Sequence, residues 1–150
     1  MICTLNEKVK NFGSTSIRFD GSGDALTIPD RSAFQFGAGD FTIEFWINKT
    51  GAYGNHEGII SRYYNSSPYQ QSWMVGFKND SKIWFWYDPN ATSSANAVEA
   101  LGTLFTGYDH SWTHVAVQRD STELQLYLNG ILVASDGSTI AATVIDAGDT

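Results

Sequence analysis

The sequence predicts an all-β sandwich or barrel. Apolar and polar residues alternate along many short runs. Turn-forming residues separate those runs at intervals of roughly eight to twelve residues, and no stretch carries a persuasive helical period. The clearest run is FTIEFWIN, where Phe41, Ile43, Phe45 and Ile47 point one way and Thr42, Glu44, Trp46 and Asn48 the other. One face of that strand is buried. The other carries a carboxylate and a tryptophan, so it reads as an active-site wall, a binding platform or a face covered by a neighbour.

The chain has 150 residues, the size of one ordinary domain. A domain of that size hides roughly 70% of its unfolded-chain surface, enough for a core without staples. Aromatic residues make up 14% and charged residues 17%, with 14 glycines, which suits a turn-rich β protein. Sixteen acidic residues against nine scattered basic ones give a net charge of −7. That balance argues against nucleic acid and against an anionic membrane surface. Cys3 is the only cysteine, so an intramolecular disulfide and a cysteine-based zinc site are excluded. The opening MICTLNEKVKNFGS lacks the apolar core of a secretory leader. No run approaches the roughly 20 apolar residues of a spanning helix.

Residues 1–13 are weakly patterned and read as an arm. In SIRFDGSGDALTIPD, Ile17 and Phe19 alternate, residues 21–24 turn, and Leu26 and Ile28 alternate back, which predicts a hairpin stopped by Pro29. Phe34 and Phe36 are expected to tuck under a sheet edge before the strand at residues 41–48. A loop with three glycines, TGAYGNHEG, leads to a short strand at Ile59 and Ile60. Residues 63–72, YYNSSPYQQS, show no convincing strand. WMVGFKNDSKIWFWYD predicts a hairpin with Trp73, Val75 and Phe77 alternating into Ile83, Phe85 and Tyr87, and with Trp84 and Trp86 on the opposite face. Residues 95–101 suggest a helical turn. WTHVAVQRD is another strand, with Trp112, His114 and Ala116 on one face. In LQLYLNGILVAS, Asn129-Gly130 is the pair a type I′ turn demands, because both residues must accept positive φ. One further strand is expected near residues 140–145.

FDGSGDALTIP, FGAGDFTIEFWI and WTHVAVQRDSTELQLYLNGILVAS follow one another in the order and spacing of a concanavalin A-like domain. They resemble its laminin-G-like group over about residues 15–136. The resemblance implies a jelly-roll sandwich of two antiparallel sheets at residues 14–150, behind the arm at 1–13. The lead-in FGSTSIRFDGSGDALTIPD is similar to that of laminin-G-like modules in virion proteins of tailed bacteriophages. Such domains continue past the last hairpin with a G-x-I-D-E-type strand, whereas this chain reads TVIDAGDT. It is therefore expected to lack its last strands, to borrow one from a partner, or to leave an edge open to pairing. The fold also covers both faces of inner strands, so Trp46 is expected to pack. Glu44 is expected to bond loop backbone or to sit at a solvated rim.

The chemistry of a glycosidase fails on the residues. A retaining enzyme holds two carboxylates about 5–5.5 Å apart, yet Glu44 has no acidic partner at positions 42, 46 or 48 and no E-x-D-x-E run exists. His56, His110 and His114 lack a metal-ligand spacing, and His114 reads as a half-buried structural residue. Sugar binding is better served. Tyr63, Tyr64, Tyr69 and Trp73, with Asn65, Gln70 and Gln71, combine flat aromatic faces with amides on a loop. The competing reading closes the sandwich end or packs a subunit. Trp84 and Trp86 form a second candidate platform, set against burial under a loop. Asp24, Asp88 and Asp109 are the candidate oxygen ligands for the rim Ca2+ that the resemblance implies, although no contiguous calcium loop is present. Asn48, Asn65, Asn79 and Asn90 each open an N-x-[ST] sequon, read here as an accident of a polar surface.

The expectation is a non-enzymatic laminin-G-like module of a phage particle, in capsid decoration or in a tail or fibre. It would sit on the virion surface, or otherwise outside the cell. Its partners would be other virion proteins or copies of itself, with host-surface glycan as ligand. A stand-alone carbohydrate-binding lectin domain is the alternative, and a fragment of a glycan-active enzyme the third.

Overall fold

The computed structural model describes residues 4–6, 11–29, 31–34, 36, 39–64, 70–87, 98–120 and 123–136. The chain divides into two compact units, residues 1–32 and residues 33–150.

In the first unit, β1 (Thr4–Asn6) pairs antiparallel with β2 (Ser16–Arg18), placing Leu5 opposite Ile17. The partner of β2 therefore comes from the segment read as an arm, and residues 24–29 form no strand. The turn chemistry explains this. Asp20 accepts the Ser22 N–H at 2.7 Å and Asp24 accepts the Asp20 N–H at 3.1 Å. These side chains saturate the backbone locally, where a hairpin ladder was expected. Phe12, Ile17, Phe19, Leu26 and Ile28 are all exposed.

The second unit holds two antiparallel sheets, as the alternation predicts. One is ordered β10-β9-β8-β3, from β3 (Phe41–Asn48), β8 (Trp112–Asp120), β9 (Glu123–Leu128) and β10 (Ile131–Asp136). The other is ordered β4-β5-β6-β7, from β4 (Glu57–Tyr64), β5 (Gln70–Phe77), β6 (Lys82–Tyr87) and β7 (Val98–Leu104). Register aligns the apolar positions of the first sheet into rows, Ile43 with Val117 and Leu126, and Phe45 with Val115 and Leu128. The second sheet contributes Val75 beside Phe85 and Phe77 beside Ile83. All of these but the partly buried Phe45, which packs against them, are fully or almost fully buried and make one core with Phe41, Trp73 and Phe105. Phe36 stacks on Phe41 at 4.3 Å and on Trp73 at 5.1 Å, closing the core edge as expected.

Three local expectations are corrected. The hairpin of β4 and β5 runs out to Tyr64 opposite Gln70, so much of the segment thought strandless is ladder. Residues 98–104 form β7 instead of a helical turn, because pairing along β6 overrides a weak helical preference. β4 is also longer than the short strand expected, spanning Glu57–Tyr64. The Asn129-Gly130 turn has φ of +51° and +78°, as type I′ requires.

Candidate functional site

The outward side of the β10-β9-β8-β3 sheet gathers an unexpected group. Trp46 pairs in register with His114, and their ring centres lie 5.2 Å apart. Trp46 is 42% exposed, which overturns its expected packing role. Glu44, two residues back on the same face, brings its Oε2 to 3.4 Å from His114 Nε2 and keeps its side chain 66% exposed. Its partner is thus an imidazole and not loop backbone. His114 is half-buried, as expected, and the type I′ turn holds its strand. The His114 N–H donates to Asn129 Oδ1 at 2.9 Å, and the Asn129 N–H donates to the His114 carbonyl at 2.9 Å.

The same face continues into an amide ladder. Ala116 lies between Glu44 and Tyr127 in register and is itself covered, 9% exposed. Gln118 Nε2 donates to Gln125 Oε1 at 2.6 Å, and the Tyr127 hydroxyl donates to the same oxygen at 2.8 Å. Sugar-binding surfaces combine these group types: an open ring face for C–H edges, and carboxylate, amide and hydroxyl groups for hydroxyls. The strands hold them in place without a mobile loop.

The outward side of the other sheet is built differently. Trp84 is flanked in register by Gly76 and Gly102, and Gly58 lies opposite Gly76. The glycines let the indole lie down on the sheet. A Cβ at residue 76 would stand 2.4 Å from the Glu57 carbonyl oxygen and 3.4 Å from Trp84 Nε1. Trp84 and Trp86 meet edge to face at 6.4 Å and are only 3% and 8% exposed. Lys78 Nζ stands 5.3 Å above the Trp84 ring, and the His56 ring meets it at 5.6 Å. The two tryptophans present no open ring face; they adopt the buried arrangement weighed against the platform reading.

One end of the sandwich is latched. Lys49 Nζ donates to the Ala52 carbonyl at 2.8 Å and lies 3.3 Å from Glu57 Oε2. Glu57 Oε1 accepts the Gly54 N–H at 2.9 Å. The ammonium also lies 5.1 Å from the Tyr53 ring centre and 5.7 Å from that of Phe77. The Tyr53 hydroxyl donates to Asp109 Oδ1. Burial, and then the bond to the Asp109 carboxylate, push the Tyr53 pKa well above its usual value near 10. The His110 N–H donates to the Lys49 carbonyl at 2.9 Å, so two loops hold each other.

The sequence-predicted site residues are scattered by this geometry. Trp73 is removed from the exposed set. It is 4% exposed, faces the core, and donates its Nε1–H to the Phe34 carbonyl at 3.2 Å. Tyr63, Tyr64 and Gln70 sit at the far end of the β4–β5 hairpin by register, with side chains outside the described residues. Asn65, Tyr69 and Asp88 lie outside them altogether, as does the strand expected near residues 140–145. Asp24 accepts the Asp20 N–H, and Asp109 accepts the Tyr53 hydroxyl. Among the described residues no group of three or more His, Cys, Asp or Glu side chains gathers as a metal site requires. Sequence reasoning missed the Trp46–His114–Glu44 group, although both strands had been assigned the correct outward residues. Setting FTIEFWIN antiparallel to WTHVAVQR would have found it. It missed the latch too, whose signal was opposite charges, Lys49 and Glu57, at the two ends of one glycine-rich loop.

Two antiparallel sheets around one core, with polar and aromatic outer surfaces, define a β-sandwich of the lectin type. Residues 20–150 match the laminin-G-like family described as the concanavalin A-like lectin/glucanases superfamily, and the chain belongs to that family. Its laminin-G-like domains are carbohydrate-binding or protein-interaction modules and are usually non-catalytic. The chain is also similar to pappalysin-1 of Homo sapiens, 23% identical over 134 residues, and to pappalysin-1 of Mus musculus, 21% identical over 137 residues. Each match covers 85% of this chain, which spans about 8% of the length of those relatives.

Proposed function

We propose that this chain is a non-catalytic attachment module that binds cell-surface glycan through the outer face of the β10-β9-β8-β3 sheet. One observation carries the reading: Trp46 stands 42% exposed on a rigid strand, with Glu44 and His114 beside it. Aromatic rings exposed beside polar groups have the composition enriched at recognition surfaces. The non-catalytic reading is supported by the usual behaviour of the family's laminin-G-like domains, and the carboxylates described above have partners. Glu57 braces Lys49, Asp109 accepts from Tyr53, and Glu44 faces an imidazole.

The carrier of the module, on this reading, is a virion of a tailed phage, as decoration of the capsid or part of a tail or fibre. Support comes from the similarity of the FGSTSIRFDGSGDALTIPD lead-in to such modules. The apolar side chains exposed by the first unit suit contacts with other virion proteins or with copies of the chain.

The test is a glycan-array screen of the purified chain with two variants, Trp46→Ala and Tyr63/Tyr64/Tyr69→Ala, each run with and without a calcium chelator. Binding lost only in Trp46→Ala supports the sheet face. Loss only in the tyrosine variant moves the site to the hairpin tip. Absence of glycan binding in the parent chain sinks the reading in favour of a purely structural part.

A further inference from the structure

The outward positions of β3, β8, β9 and β10 carry no lysine or arginine. They are Thr42, Glu44, Trp46 and Asn48; Trp112, His114, Ala116, Gln118 and Asp120; Glu123, Gln125 and Tyr127; and Leu132 and Ser135. Arg119, the only basic residue in β8, is on the inward side and buried. The charges presented by this face are therefore carboxylates, plus one imidazole. An anionic group brought here would stand against Glu44 with no lysine or arginine at these positions to offset its desolvation, and like charges in contact cost several kcal/mol.

One charged side chain, Glu44, stands in the row of Ala116 and Tyr127, and the next row, Thr42, Gln118 and Gln125, is uncharged. Between Trp46 and the Asp120–Glu123 end lie Ala116, Gln118, Gln125 and Tyr127. Sugar hydroxyls both donate and accept. Glutamine amides and a tyrosine hydroxyl match both roles, and a carboxylate accepts from two hydroxyls at once. From the Trp46 row to the Gln118 row is roughly 13 Å along the strands at about 3.3 Å per residue. That is the length of a short oligosaccharide laid along the strands.

We infer that the Trp46, Glu44, Ala116, Gln118, Gln125 and Tyr127 face selects uncharged, hydroxyl-rich glycans and rejects sulphated or otherwise anionic ones. The inference rests on the glycan-binding reading above and names its ligand class.

The experiment arrays neutral hexose oligosaccharides beside sulphated and free-amino forms of the same backbones. The parent chain binds the neutral forms, and the sulphated forms bind at least about tenfold more weakly. Trp46→Ala loses the neutral forms by a similar factor while its thermal melt is unchanged. Gln118→Lys, which adds a cation to the face, raises binding of the sulphated forms. Sulphated forms held as tightly as the neutral ones overturn the inference and leave the glycan reading standing. Neutral binding that survives in Trp46→Ala and disappears in Tyr63/Tyr64/Tyr69→Ala overturns it by moving the site. Binding to none of the glycans removes the underlying reading as well.

Discussion

Both sheets turn tryptophans away from the core, and the residues beside the rings decide what each face becomes. Trp84 has glycine to either side in register, so the indole lies flat and buried, and Lys78 stands over its ring. Trp46 has His114 beside it in register and Glu44 two residues back along its strand, so its ring stands against an imidazole and stays 42% exposed. One tryptophan is structure and the other is surface, although both occupy outward positions of alternating strands. At Trp84 the flanking glycines let the ring be absorbed into the sheet face, whereas Trp46 stays exposed beside polar neighbours.

That contrast makes stability the first discriminator. Trp84→Ala should cost about 3–5 kcal/mol in urea unfolding, as large-to-small changes at buried aromatic sites do. A cost below about 1 kcal/mol would mean that the ring is no packing residue and would return Trp84 to the candidate platforms. Gly76→Ala comes next, at about 2–3 kcal/mol. Its methyl group would stand 2.4 Å from a backbone oxygen that has no rotamer to escape into. A neutral result would show that the floor under Trp84 is looser than this spacing.

The latch predicts a smaller and pH-dependent effect. Tyr53→Phe removes the hydroxyl bonded to Asp109 and should cost about 1 kcal/mol near neutrality. The folded pKa of Tyr53 lies above the unfolded one, so its contribution is fully present below about pH 10 and is lost as pH rises beyond it. The parent chain should therefore lose stability above about pH 10 more steeply than the variant, measured by melts from pH 8 to pH 11. Parallel pH profiles would remove Tyr53 as the cause. Because Lys49 supplies the cation at this loop end, a chelator should leave both melts unshifted.

The legible parts of the molecule were those set by short-range rules. Alternation placed β3 and β8 with the correct residues on each face, and Asn129-Gly130 fixed the last hairpin because few other pairs accept two positive φ values. Residues 98–101 were illegible because they fall in a stretch, 95–101, that reads as a helical turn, and pairing with β6 makes them a strand. β2 was assigned the wrong partner for a related reason, since pairing to residues 4–6 is long-range and leaves no turn signature. At the site, alternation says which way Trp46 points but not what lies across from it. That depends on the register with β8, set by an inward row running from Phe41 to Ile47. Asp109 shows the same limit. As a loop aspartate it read as a metal ligand, yet its partner is a tyrosine 56 residues away.

The smallest predicted effect is the one that tests the comparison most directly. Trp46→Ala should change stability by no more than about 0.5 kcal/mol, because an exposed side chain gives up little on truncation. Its contact with His114 adds at most a few tenths, which a double-mutant cycle with His114→Ala can measure. A protein has little physical reason to keep a large, half-exposed ring that adds so little to folding. Near-neutral stability together with lost glycan binding would assign the ring to recognition. A cost of about 2 kcal/mol or more would show that Trp46 is covered in the folded protein, and the two faces would then be alike.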